Sequence, residues 1–156
     1  MAIRSFATTR ETAVPRPELH LAGKVCVAFL ILLGAGAFAG GALLVTQPDG
    51  SAMQWDLDML AGSPFADFLI PGLILGGFFG IGSFVVAALG VARFRVAPYL
   101  AFAIGVGQMI WIVVELAIIG EFSFLHPACF AIGLVIAATA VPWGWPTFRA
   151  WRVRQS

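Results

Sequence analysis

Four runs of about twenty consecutive, predominantly apolar residues constrain this chain more than any other feature of it. A hydrocarbon layer of ~30 Å is crossed by ~20 helical residues rising 1.5 Å each. The runs cover residues 25–46, 71–92, 98–120 and 127–145. Backbone groups removed from water must pair within their own segment, which makes these runs helices rather than strands. Pro48-Asp49-Gly50 closes the first run. Pro71, Pro98 and Pro127 open the others, in the first turn, where a helix tolerates a missing amide. Pro146 follows the fourth run and marks its end. Composition agrees: 60% of the 156 residues are hydrophobic and 11% are charged, against about 25% charged in a soluble domain. The expected fold is all-α, an integral membrane four-helix bundle over residues 25–146. A tail (1–24), a long loop (47–70) and a basic tail (147–156) flank or interrupt it.

A formal net charge of +1 hides a sharp separation of charge. Arg4, Arg10, Arg16 and Lys24 precede the first run, Arg93 and Arg95 join the second to the third, and Arg149, Arg152 and Arg154 follow the fourth. The two remaining loops hold no Lys or Arg, only Asp49, Asp56, Asp58, Asp67 and Glu121. Nine basic residues against none predicts cytoplasmic termini and two acidic loops facing outward, in a plasma or bacterial inner membrane. Residues 1–24, with Pro15 and Pro17, read as a cytoplasmic tail. A cleaved leader fits less well, because the apolar run after the tail exceeds the roughly 7–15 residues of a signal peptide.

Trp143, Trp145, Phe148 and Trp151 cluster with Arg149 and Arg152 where the fourth run ends. Amphipathic rings beside phosphate-seeking cations predict a lipid-interface belt. Three arginines beside a membrane span do not make a nucleic-acid surface, so none is expected. In the loop, Met53, Trp55, Leu57 and Met59 alternate with Gln54, Asp56 and Asp58. That period of two suggests an extended surface segment, while Met53, Leu57 and Leu60 also share a helical face, and a short interfacial helix is the favoured expectation. Ser63-Pro64 reads as a cap and first-turn proline of a further short helix, or of one long span kinked at Pro71.

Helices in lipid gain nothing hydrophobic by associating, so close packing between small residues must hold them together. Gly72, Gly76 and Gly80 recur every four residues, and Gly36 and Gly40 repeat that spacing in the first run. These five glycines predict a tight crossing of the first and second helices.

Three stretches carry a resemblance: GGALLVTQPDGS, SPFADFLIPG and GQMIWI with the polar residues around it. Across roughly residues 40–135 the chain resembles a family of small, uncharacterised bacterial integral membrane proteins. The family's elements are G-G-x-x-L-x-x-x-P-x-G, S-P-F-x-x-[YF]-x-x-P-G and a glycine-led segment reaching Trp-Ile. The resemblance implies four transmembrane helices and no particular reaction. In that pattern the position of Glu115 is often Gln, which argues against a role that requires a titratable proton.

Two polar residues stand inside the third run. Gln108 and Glu115 are seven apart, so at 100° per residue they lie within about 20° of each other on one helix face. An ionised group in a bilayer costs at least ~2.5 kcal/mol at the centre, but Glu115 lies only about 7 Å from the helix end. Folding the third and fourth helices antiparallel about the turn at 121–123 brings Glu115 level with His126, with Cys129 one turn further on. Gln108, Glu115 and His126 are the candidate polar site. A metal set of Glu115, His126 and Cys129 rests on helix level alone. Cys26 and Cys129 fall at opposite ends of the bundle, which excludes a disulfide, and His20 and His126 cannot face each other across a haem. No cofactor or metal is expected. The leading expectation is a non-enzymatic accessory or assembly subunit, whose partners are the lipid bilayer and either another copy or another membrane protein. The alternative is a small transporter or channel with Glu115 as an intramembrane proton or cation site.

Overall fold

The computed structural model describes residues 19–119 and 123–152, with side chains placed for 19–118 and 123–145. Four helices account for most of it: α1 (Leu21–Thr46), α2 (Leu69–Val91), α3 (Ala97–Ile119) and α4 (Leu125–Arg152). All four are long and apolar enough to cross a membrane, and no strand occurs among the described residues. Large apolar side chains are exposed on every helix, including Ile31, Phe78, Ile110, Val113 and Leu134. Helices apolar on all sides suit an apolar surrounding, as in a helical membrane bundle.

Boundaries depart from the sequence expectation at four places. The first helix begins at Leu21, so Lys24 lies in its first turn, its amide bonded to the His20 carbonyl. Ser63 does not start a helix; its hydroxyl accepts the Phe65 amide in a local turn. The second helix begins only at Leu69, where the Asp67 carboxylate accepts the Leu69 amide, and it passes Pro71 without ending. The fourth helix continues through Pro142 and Pro146 to Arg152 instead of stopping at residue 145. A proline removes one amide and strains one turn, which a helix survives when its neighbours hold it. Within α2, residues Ile74–Ile81 form a π-helix, and the Gly82 amide reaches back to the Gly77 carbonyl. Gly76, Gly77 and Gly80 in this stretch leave the wider turn free of side-chain crowding.

Two glycine crossings organise the bundle. A Cβ on Gly41 would overlap the backbone of Gly76 and come within 2.7 Å of the Gly72 carbonyl oxygen. Gly80 packs in the same way against the backbone of Phe38, and Gly34 against Phe84 and the Gly80 carbonyl. The expected partners Gly72, Gly76 and Gly80 therefore do form the α1–α2 crossing. On α1, however, the contacts are made by Gly34, the backbone of Phe38, and Gly41. Gly36 meets nothing within 4 Å, and Gly40 touches only the ends of Leu75 and Met53. The correction is one of rotation, because adjacent positions on a helix lie 100° apart. The second crossing joins α3 to α4: a Cβ on Gly105 would lie 2.6 Å from the Gly133 carbonyl oxygen, and one on Gly133 would lie 2.8 Å from that of Gly105.

Trp143 is a second correction. It is 1% exposed, lodged between Gly23 of α1 and Gly90 of α2, and does not face lipid. Trp145, 54% exposed, keeps the outward position expected of a belt residue. The side chains of Arg149, Trp151 and Arg152, and all of Glu121, lie outside the described residues. Trp143, Cys26, Leu30, Ile136, Ala97 and Ala101 fill the core at the end that carries Lys24 and Arg93.

At the other end the loop 47–68 folds back over the helices. It forms two 3₁₀ turns, Ser51–Met53 and Leu57–Leu60, rather than an extended strand or an α-helix. Its alternation survives in part: Met53, Trp55 and Met59 turn inward, while Gln54, Asp56, Asp58 and also Leu57 are exposed. Leu60 and Phe68 are buried with Leu44 of α1, and the Trp55 and Phe68 rings stand 5.5 Å apart. The Phe68 amide donates to the Pro48 carbonyl at 2.9 Å, tying the two ends of the loop together. Gly50 has φ +81°, and a Cβ there would lie 2.6 Å from the Trp55 carbonyl oxygen, so only glycine suits the site. Asp49 accepts both the hydroxyl (2.6 Å) and the amide (3.1 Å) of Ser51.

Two outcomes are expected. Gly41→Ala forces the α1–α2 crossing apart and costs about 1–3 kcal/mol by overpacking, whereas Gly36→Ala changes stability by less than about 0.5 kcal/mol; thermal unfolding in detergent separates them. The Ser51 hydroxyl and amide hold the Asp49 carboxyl below the usual carboxylate range. A depressed folded-state value stabilises the turn above the ordinary carboxylate value and is lost as pH falls through the lowered one. Protection of the Ser51 amide, measured against its intrinsic exchange rate, should therefore hold at neutral pH and fall as pH drops through the lowered value, and Asp49→Asn should reduce it at neutral pH.

Candidate functional site

The stripe Gln108, Trp111, Ile112 and Glu115 on α3 follows helical spacing of three and four, so one face presents all four side chains. It lines a cavity of about 380 Å³ in the loop-end half of the bundle. From α1 the cavity takes Leu32, Gly36 and Gly40, from α4 Leu125, His126, Cys129 and Ile132, and from the loop Met53, Trp55 and Met59. The three residues of the expected polar site, Gln108, Glu115 and His126, thus meet in one place. Cys129 joins them, while Cys26 is buried near the opposite end and bonds weakly to the Ile136 carbonyl at 3.7 Å. Among the described residues no group of three or more His, Cys, Asp or Glu side chains is arranged to hold a metal ion.

Each polar group has a distinct environment. Gln108 is 2% exposed, and its Oε1 has no hydrogen-bond partner. The indole Nε1 of Trp111 is likewise buried without one. An unmet buried donor or acceptor costs about 1–3 kcal/mol, so two on adjacent turns of one cavity wall are a standing demand for a ligand or water. Trp111 is held by Phe79, the ring centroids 6.0 Å apart. Glu115 is partly buried and lies within electrostatic reach of both His126 and Cys129.

His126 is oriented by the start of its own helix. Its Nδ1 accepts the Ser123 amide at 3.0 Å, its own amide donates to the Ser123 carbonyl at 3.1 Å, and the Ser123 hydroxyl receives the Leu125 amide at 3.4 Å. This is a capping box in which histidine takes the place of the usual Glu or Gln three residues on. The same Nδ1 stands 3.3 Å from the Ser123 carbonyl oxygen, so that side of the ring is held to Ser123. The cap thus fixes the ring's position at the start of α4.

Sequence reasoning assembled the polar set but missed the rest of the cavity. Trp111 was legible as i+3 from Gln108 and i−4 from Glu115. The opening at Gly36 and Gly40 was not, since those glycines read as packing residues. A smaller apolar void of about 80 Å³ lies on the other side of the same wall, sharing Trp55, Leu75, Trp111 and Glu115. Glu115 therefore lines both voids.

No family model matches this chain, and no curated protein or solved structure shows detectable similarity to it. The site's own chemistry carries the functional argument. Removing the His126 ring should loosen the start of α4: His126→Ala is expected to cost about 1 kcal/mol of cap stability. His126→Gln, which can still accept the Ser123 amide, should retain most of it. Hydrogen exchange at the Ser123 amide and over residues 125–129 distinguishes the two.

Proposed function

We propose that this chain is a multi-pass protein of a bacterial-type inner membrane, with both termini in the cytoplasm and the roofed cavity toward the outer face. Its role is that of a small non-enzymatic carrier, with Glu115 as the proton- or cation-holding group. The distribution of nine basic residues against none supports the orientation. The four apolar helices support insertion. The resemblance of the GG…P-x-G, S-P-F and Trp-Ile elements to small bacterial membrane proteins supports insertion alone; the Gln frequent at position 115 in that pattern argues against the proton-holding role, which rests on the cavity.

One observation carries the functional part: Glu115 lines a cavity of about 380 Å³ together with Gln108 and His126. A carboxylate serving only to join helices would be packed against a partner. Here it borders space, and the bundle is closed beyond that space by Leu30, Ile136 and Trp143. A cavity confined to one half of the bundle, roofed by the loop and closed toward the other end, matches an occluded state of an alternating-access cycle. It is not an open pore, so a carrier is favoured over a channel. The accessory-subunit reading rests on helix faces that lipid covers equally well, and it makes no use of the cavity.

The test is proton-linked flux. Purified protein in liposomes loaded with a pH-sensitive dye should dissipate an imposed pH gradient faster than empty liposomes. Glu115→Ala and Glu115→Gln should both return the rate to background while leaving the bundle folded. Flux unchanged in both variants would exclude Glu115 as the carrying group. No flux from the intact protein would return the argument to an accessory role.

A further inference from the structure

The walls of the cavity do not all close. Helices α1 and α4 are in tight contact at the basic end, where a Cβ on Gly23 would lie 3.1 Å from Trp143 Nε1 and the Cys26 thiol reaches the Ile136 carbonyl. Toward the loop they part. Gly36 faces open space, with nothing within 4 Å of its Cβ position. Leu32 on α1 and Leu125 on α4 both line the cavity, yet they are 56% and 55% exposed, which places them at its mouth. Leu32 lies near the middle of α1, as Gln108 lies near the middle of α3. The mouth therefore opens sideways between α1 and α4, from Leu32 near the middle of α1 to Leu125, the first residue of α4, while Met53, Trp55 and Met59 of the loop line the cavity on its loop side.

We propose that the cavity is filled from within the bilayer, through the gap between α1 and α4, by a neutral amphiphile with an apolar body and a hydroxyl-type head. This rests on reading the cavity as a ligand site in a membrane-inserted protein. The wall chemistry selects the head. Gln108 Oε1 lacks a donor and Trp111 Nε1 lacks an acceptor, on adjacent turns of the same face. A hydroxyl carries both functions, a proton to donate to Gln108 and an oxygen to accept from the indole. A carboxylate head would meet Glu115 across the same space and is disfavoured by like charge. The remaining lining, Leu32, Leu33, Ala37, Leu75, Ile112 and Ile132, is aliphatic and suits a hydrocarbon body.

The experiment uses the full-length protein in phosphatidylcholine vesicles containing a long-chain primary alcohol with a diazirine close to its hydroxyl. After photolysis, mass spectrometry should place the label on residues 32–40, 108–115 and 125–132. Gly36→Leu, which fills the mouth without meeting a neighbour, should abolish that labelling. Gly77→Leu, placed where a Cβ also meets nothing but away from the cavity, should leave it intact. Gln108→Leu should weaken it about tenfold, as for one buried neutral hydrogen bond. Labelling spread evenly over the lipid-facing helix surfaces would overturn the proposal. So would cavity labelling that survives Gly36→Leu, or that a short water-soluble alcohol abolishes as effectively as a long-chain one. Glu115-dependent proton flux without cavity labelling would overturn sideways access and leave the carrier reading standing. Cavity labelling without flux would do the reverse.

Discussion

Backbone-to-backbone contact at glycine is the interaction on which the other features depend. Gly41 lies directly on Gly76, and Gly105 on Gly133, with no room for a β-carbon at either crossing. In a bilayer, where apolar side chains gain nothing by leaving lipid for protein, such contacts supply dispersion that lipid chains cannot match. The two crossings make two helix pairs, α1 with α2 and α3 with α4. The pairs then join through Trp143 of α4, which fills the space left by Gly23 and Gly90, through the Cys26 thiol at the Ile136 carbonyl, and through the Phe79 and Trp111 rings of α2 and α3. The cavity lies in the loop-end half of the bundle, lined on α3 by Gln108, Trp111, Ile112 and Glu115.

The loop completes the cavity and explains where its acidic residues go. Asp49, Asp56 and Asp67 each accept a backbone amide two residues ahead, at Ser51, Asp58 and Leu69. They shape turns, and their charge keeps the outer surface of the loop in water. Freed from an extended path, the loop turns Met53, Trp55 and Met59 onto the bundle and anchors itself through Phe68 and Leu60. Sequence alternation and tertiary burial agree here, except at Leu57, although the backbone forms short 3₁₀ helices and not the extended path that alternation suggested.

How much of the site could be read in advance depends on the kind of geometry involved. Gln108 and Glu115 share a face because seven residues make nearly two turns, and this holds in any straight helix. His126 meets Glu115 because a short turn forces α3 and α4 antiparallel and level. Both inferences need only local regularity. Gly36 and Gly40 were misplaced for the opposite reason. In α1, the small residues at 34, 36, 37, 40 and 41 offer several overlapping stripes. Nothing within a helix apolar on all sides says which stripe meets its neighbour. Trp143 was misplaced likewise, since its nearness to arginines suggested the interface while its rotational position put it inside.

By itself the sequence determined the number of the helices and the apolar core of each, the charge difference between the two ends, and the polar residues available to a site. Those follow from hydrophobic run length, turn chemistry and composition, which are properties of the chain read in order. Only the tertiary structure decided how each helix is rotated about its axis. With it came the choice of Gly41 over Gly40 as a contact, the burial of Trp143 and the opening beside Gly36. The physical reason is that rotation of an evenly apolar helix carries almost no hydrophobic preference. It is settled by which small residues let two backbones touch, and that depends on both partners at once.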